Sequence, residues 1–230
     1  MTTLRRWLKA AGLWQSRRKR SLHRRWRARK EHLGELVQMD GSHHDWFEGR
    51  REKAVLMVMI DDATNWTYAR FFEEETTVAA METFRDYVGR YGFPQAIYVD
   101  RDSIYETTRD ATIDEELRET GPLTQFGRAM QELEVKLKLK LAYSPQAKGR
   151  VERRHAVFQD RLVKALRLLG VSDLAAANAY LDKTFLPELN QRFTVAAKEK
   201  INLHRRVPRN VNLARVLSFQ EQRVVRTTGR

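Results

Sequence analysis

The chain has 230 residues, 42% of them hydrophobic, with a formal net charge of +13 and no cysteine. That length and apolar content suffice for one sizeable domain with appendages. The missing thiols exclude disulfides, thiolate metal sites and cysteine nucleophiles, which leaves carboxylates, histidines and hydroxyls for chemistry.

No apolar run approaches the ~20 residues that cross a bilayer, and the basic N-terminus lacks the apolar segment of a secretory signal. A soluble, intracellular protein with no membrane partner is predicted. The charge is distributed unevenly: residues 1–32 hold 12 Lys/Arg against one Glu, residues 192–230 hold 10 against two, and the stretch between them carries a net −6. Two basic arms on an acidic body suit a polyanionic partner, because each phosphate neutralised releases counterions. A solvated charge run is the plainer alternative, weakened here by the dominance of arginine and by Trp7, Trp14 and Trp26 interleaved with it.

In chain order, Leu4, Leu8 and Ala11 fall at helical spacing with Gly12 as a stop, and "SRRKRSLHRRWRARK" is a polar connector. "ELVQMDG" and "AVLMVMIDD" are apolar runs too short for helices, so they predict buried strands; "NWTYARFF" follows a turn at 63–65 and completes a meander. "TTVAAMETFRDYVGRYGFP" places Val78, Met81, Phe84, Tyr87, Val88 and Tyr91 on one helical stripe, with Thr76 or Thr77 as cap and Gly-x-Pro as stop. "QAIYVD" reads as a fourth strand. Residues 101–133 are irregular, with short helices predicted around 112–119 and 122–133. "VKLKLKLAY" alternates as a strand buried on one side. A long helix from Gln146 aligns Val151, Phe158, Leu162, Ala165, Leu166 and Leu169, and another over 172–186 ends before Pro187. The order predicts an α/β fold, a sheet with helices packed on it.

The acids form a pattern. Asp40 and Asp100 each close a predicted strand, and Glu152 sits in the first two turns of the last long helix. If the first and fourth strands are neighbours their acids converge, and the helix can bring Glu152 in from the side. Such a trio suits two Mg²⁺ ions about 3.5–4 Å apart, which activate a water or a 3′-hydroxyl and stabilise the leaving oxygen of an in-line phosphoryl displacement. Magnesium takes hard oxygen ligands and fills its octahedron with water and phosphate oxygens. Each acid taken singly is more simply a solvent-facing residue at a strand end or helix start.

"ELVQMDGSHHDWF", "MIDDATNWTYARFF", "YGFPQAIYVDRDSIY", "LTQFGRAM" and "SPQAKGRVER", in this order, resemble the catalytic domain of bacterial insertion-sequence transposases of the ISNCY kind, in the DDE superfamily that also contains retroviral integrases. The resemblance covers roughly residues 33–190. It implies a ribonuclease-H-like mixed five-stranded sheet, and cleavage and transfer of DNA strands with two Mg²⁺ or Mn²⁺ ions held by Asp40, Asp100 and Glu152 as catalytic and metal-binding residues. The implied partners are double-stranded DNA, as transposon ends and target, and further copies of the chain in a DNA-bound homo-multimer. The implied place is the bacterial cytoplasm, at the nucleoid during action. The organisation expected is a basic arm over 1–33 (the end of a helix-turn-helix plus linker), a catalytic core over 34–190 and a basic C-terminal segment over 191–230. The chain is expected to be truncated at both ends relative to a full transposase, its last residues opening a β segment. Between Asp100 and Glu152 lie 51 residues, more than in the archetypal integrase, and 101–133 is expected to be an insertion that loops out.

Around Glu152, Lys148, Arg150, Arg153 and Arg154 are candidates for phosphate contact, as are Arg17, Arg18, Lys19, Arg20, Arg24 and Arg25 in the arm. Tyr143, Ser144 and Gln146 are adequately explained as helix caps. His43 and His44 are adjacent and ill-suited to chelating one ion, so a structural or DNA-contacting loop is expected. Of Asp61 and Asp62, one is explained by turn chemistry and the other is a candidate support for the site. Trp46, Phe47, Phe71, Phe72 and Phe158 are expected in the core. Two other functions compete: a catalytically silent remnant that binds DNA through its arms, and a cellular nuclease of the same fold acting on RNA or hybrid duplexes.

Overall fold

Residues 37–72 form the predicted antiparallel meander, in which β1 (Val37–His44) pairs with β2 (Ala54–Asp61) and β2 with β3 (Thr67–Phe72). The computed structural model describes residues 3–11, 28–110, 121–139 and 149–221. Every residue of β2 is buried; a central strand covered on both faces reads as a continuous apolar run instead of alternating. At the β2–β3 turn, Asp61 accepts from Thr64 N (2.8 Å), Thr64 Oγ1 (2.7 Å) and Gly34 N (2.9 Å), so it is the aspartate explained by turn chemistry. Burial raises its pKa above the ordinary carboxylate value.

Helix α2 (Thr77–Tyr91) starts where Thr76 accepts from Ala79 N at 3.1 Å and stops at Gly92. It lays Ala80, Met81, Phe84, Tyr87 and Val88 on the sheet. Strand β4 (Ala96–Val99) then returns parallel to β1, and β5 (Lys136–Leu139) parallel to β4. The finished sheet is mixed and five-stranded, in the order β3-β2-β1-β4-β5. On β5 the exposed Lys136 and Lys138 alternate with half-buried leucines, and lysines on an edge strand discourage pairing with other chains.

Part of the expected insertion belongs to the core. In α3 (Gln125–Glu132) Phe126, Ala129 and Met130 are buried, and their i, i+3, i+4 spacing gives the helix an apolar face that cannot loop out into water. The predicted helix at 112–119, the caps Tyr143, Ser144 and Gln146, and most of the N-terminal connector lie outside the described residues. Helix α1 (Thr3–Ala10) forms as predicted, with Leu4 and Trp7 exposed.

Helix α4 (Gly149–Leu168) buries Val151, Phe158, Leu162 and Leu166, while Leu169 falls past its end and is exposed. The next helix does not stop before Pro187. Instead α5 (Leu174–Tyr180) runs through a π-helical turn (Leu181–Phe185) into α6 (Leu186–Phe193), with Pro187 in the first turn of α6. The wider turn re-registers the backbone bonds, so a residue without an N–H can be accommodated.

The C-terminal basic segment is a strap along its described residues, while most of the last residues expected to open a β segment lie outside them. Val195 N donates to Thr64 O, Leu203 N to Leu33 O and Arg205 N to Phe93 O. The short helix α7 (Leu213–Val216) is gripped by Arg128, whose Nη2 donates to Val216 O (2.9 Å) and Ser218 O (2.7 Å). His204 docks against Gly34, which has φ +78° and where any Cβ would overlap the imidazole. Its Nδ1 donates to Asn202 Oδ1 at 2.7 Å and its Nε2 accepts from the Tyr87 hydroxyl at 2.8 Å, so both nitrogens are engaged in the neutral ring. Burial lowers its pKa to about 4.

Since the unfolded chain binds this proton near pH 6.5 and the folded chain only near 4, stability is lost as pH falls through that interval. The thermal midpoint should therefore drop between pH 7 and pH 5, and His204→Gln should flatten that part of the profile.

Candidate active site

Three contacts seat α4 along β1. Val151 N donates to Gln38 Oε1 (3.4 Å), His155 Nδ1 lies 3.8 Å from Asp40 Oδ2, and Gln159 Nε2 donates to Ser42 Oγ (3.3 Å). The pitches match: four residues of helix rise about 6 Å and two of strand about 6.6 Å. Gln38, Asp40 and Ser42 share one face of the strand, as period two requires.

Asp40 is the fourth residue of β1, so it sits within the strand instead of closing it; Asp100 follows directly after β4. Val37 pairs with Ile97 and Gln38 with Tyr98 in the parallel ladder. Carried two residues on, the same register sets Asp40 opposite Asp100. Glu152, exposed in the first turn of α4, is placed by helical period. Arg150 and Arg154 are on the flank facing the β2–β3 turn, where they reach Asp62 and Asn65. At 100° per residue Glu152 is on the other flank, turned away from that turn. Among the described residues, no three His, Asp or Glu side chains are gathered closely enough to hold a metal ion.

Further acids surround Asp40 and Asp100. The Tyr105 hydroxyl is buried with no hydrogen-bond partner among the described residues, and its pKa is pushed up first by burial and then by the charges of Glu75, Asp40, Asp102 and Asp100. Glu75 packs where a Cβ at position 41 would be, so Gly41 is what lets this carboxylate approach the backbone beside Asp40. Burial raises the Glu75 pKa, the bonded His43 (2.8 Å) opposes the rise, and Asp40 and Asp102 reinforce it. Sequence reasoning misses Glu75, Asp102, Tyr105 and His155. The one available signal is Gly41 inside an otherwise regular strand, which marks a close approach.

Asp62 is the expected supporting acid. Wholly buried, it accepts from Lys30 N (2.9 Å), Gln38 Nε2 (2.7 Å) and Arg150 Nη1 (2.8 Å). Arg150 is therefore turned inward to a carboxylate. Arg154, another candidate for surface phosphate contact, is only 5% exposed and donates from Nη2 to Asn65 O at 3.3 Å. Its neighbour Phe158 needs the same buried face of α4, and the helix turns both inward. Arg153 is exposed; Lys148, Arg17, Arg18, Lys19, Arg20, Arg24 and Arg25 lie outside the described residues. His43 and His44 end β1, the first on Glu75 and the second edge-on to Trp46. Trp46, Phe47, Phe71 and Phe158 are in the core, with Phe72 packed against it.

No protein-family model matches the chain. It is 40% identical over 227 residues, 97% of its length, to "Putative transposase y4bF" of Sinorhizobium fredii. It is 33% identical over 195 residues, 83% of its length, to "Transposase for insertion sequence IS1202" of Streptococcus pneumoniae. The chain spans 48% of the first relative and 40% of the second. A chain of the simian T-cell lymphotropic virus intasome, solved in complex with PP2A regulatory subunit B56 gamma, superposes on 95% of this chain and 68% of its own, with TM-score 0.56 at 16% identity. The HTLV-2 integrase catalytic core domain in complex with magnesium, in its dimeric form, superposes on 73% and 92%, with TM-score 0.52 at 17% identity. Likeness at such identities is one of fold: the ribonuclease-H-like sheet and helices of an integrase core.

Removing Arg150 strands a buried carboxylate. Arg150→Met should destabilise the chain by about 3 kcal/mol in urea denaturation, and adding Asp62→Asn should recover part of that loss.

Proposed function

Because the chain is a relative of insertion-sequence transposases built on the integrase-core fold of the DDE superfamily, we propose that it is the catalytic domain of a DDE transposase, cleaving and joining DNA strands at the ends of an insertion sequence. The observation that supports this reading is the parallel β1–β4 register, Val37 with Ile97 and Gln38 with Tyr98, which carried two residues on brings Asp40 level with Asp100.

The donor set fits a hard divalent cation. Asp40, Asp100 and Glu152 offer carboxylate oxygens alone, the ligands magnesium and manganese prefer. The crowding of acids that raises Glu75 and Tyr105 marks a region of negative potential that a cation would relieve. When bound, two Mg²⁺ or Mn²⁺ ions would supply Lewis acidity for an in-line phosphoryl displacement. The chain's own residues do the positioning. His155 leans on Asp40 Oδ2, Asp100 follows the end of the strand parallel to β1, and the Gln38–Asp62–Arg150 network steadies the helix turn bearing Glu152. The buried Tyr105 hydroxyl, without a hydrogen-bond partner among the described residues, keeps a donor available near Asp40 and Asp100.

Duplex DNA, as transposon end and target, is the proposed substrate, and action in a homo-multimer at the bacterial nucleoid is part of the proposal. Among the described residues no helix is long and apolar enough to cross a membrane.

Incubation with an end-bearing duplex and Mn²⁺ should yield nicked and joined products. Asp100→Asn should lower the rate by at least ~10²-fold, since metal stabilisation of the transition state is worth several kcal/mol. Salt-sensitive DNA binding with no product would instead identify a silent remnant, and faster cleavage of an RNA–DNA hybrid than of DNA would identify a nuclease.

A further inference from the structure

Three arginines converge on Phe193, the last residue of α6. The guanidinium carbons of Arg154, Arg161 and Arg192 lie 5.3, 5.4 and 5.6 Å from its ring centroid. Arg154 and Arg161 are seven residues apart on α4, two turns and therefore one face; Arg192 comes from the residue beside the ring. Among the described residues none of the three is ion-paired to a carboxylate, and Asp160, next to Arg161, is engaged by Lys164. Cation–π contact offsets part of the cost of gathering these charges, but three like charges around one ring still repel.

Arg154 is the least explained. It is 5% exposed, and while Nη2 reaches Asn65 O, Nη1 is buried without an acceptor among the described residues. Burial lowers its pKa to about 10, with no acid acting in the opposite sense. A buried cation without a counter-ion is costly, and packing alone does not require one, because methionine fills a similar volume. The surroundings continue the positive character. Arg29 Nη1 donates to Asn65 Oδ1 (2.9 Å) and Ala63 O (3.3 Å), so the β2–β3 turn lies between Arg29 and Arg154. Of the two acids at that turn, Asp62 is taken by Arg150 and Asp61 by Thr64 and Gly34 N.

We propose that Arg161 and Arg192, with Phe193 as floor and Arg154 beneath, form a subsite for a phosphodiester of the DNA backbone. This rests on the DNA-processing reading above and adds to it a place where the duplex is held. The exposed Arg161 and Arg192 present planar forks suited to phosphate oxygens. Arg154 acts from behind through a poorly screened, low-dielectric wall. The subsite is on the flank of α4 turned away from Glu152, so it holds a stretch of backbone apart from the candidate catalytic acids and reads no sequence.

Duplex binding measured by fluorescence anisotropy across a KCl series tests this. The Arg161→Gln/Arg192→Gln variant should bind more weakly, with the slope of log K against log[KCl] shallower by about 0.9 for each phosphate no longer neutralised, at an unchanged thermal midpoint. Unchanged affinity and slope would overturn the subsite and leave the DNA-processing reading standing. Arg154→Met should also weaken binding while holding or raising the thermal midpoint; a lower midpoint with an unaltered salt slope would make Arg154 purely structural and overturn its part. If the unsubstituted chain shows no salt-dependent duplex binding, the DNA-processing reading itself fails. Inorganic phosphate then decides: a midpoint raised in the chain but not in the double variant supports an anion site, and equal shifts in both eliminate it.

Discussion

The seam between β1 and α4 is the constraint on which the arrangement of acids depends. A helix that advances about 6 Å in four residues lies in step with a strand that advances about 6.6 Å in two, so Val151, His155 and Gln159 meet Gln38, Asp40 and Ser42 one for one. A slip of one residue along the strand would present the other face, with the buried Val37 and Met39, and no acid. What prevents slippage is the buried network at the helix start, where Asp62 binds Gln38 and Arg150 together. A buried carboxylate tolerates few alternative positions for its partners, because each misplaced donor leaves a charge uncompensated.

The same seam separates charges of opposite sign. On one flank of α4 is Glu152; on the other are Arg150, Arg154 and Arg161. Helical period alone produces this division, since residues two apart point nearly oppositely while residues four and seven apart align. A basic helix start around a lone glutamate thus resolves into two faces with separate surroundings.

Net charge proves a poor guide to where cations are presented. The C-terminal segment is as basic as its composition says, yet much of that charge is used within the chain. Arg205 Nη2 donates to Leu133 O and Glu134 O, and Arg215 pairs with Glu132. Lys198 pairs with Glu31 across the chain. The strap crosses the ends of β1, α2 and β5 and covers surface that would otherwise be open to water. On the path from Val195 to Gln220, Lys198, Arg205 and Arg215 are thus engaged within the chain.

The sequence by itself determined the α/β class, the meander and the capped helix after Thr76, because apolar periodicity and turn residues act over a few positions and are written locally. Gly41 within a strand is a local hint of the same kind, though its cause is not local. Tertiary structure alone decided the pairing of β1 with β4, the packing of Phe126 and Met130 into the core, the passage of a helix through Pro187, and the inward turn of Arg150 and Arg154. The approach of Glu75 to Asp40 belongs to the same group. Each of these depends on what lies opposite a residue across tens of positions of chain. A side chain's burial and charge partner are properties of that opposing surface, and no local pattern encodes it.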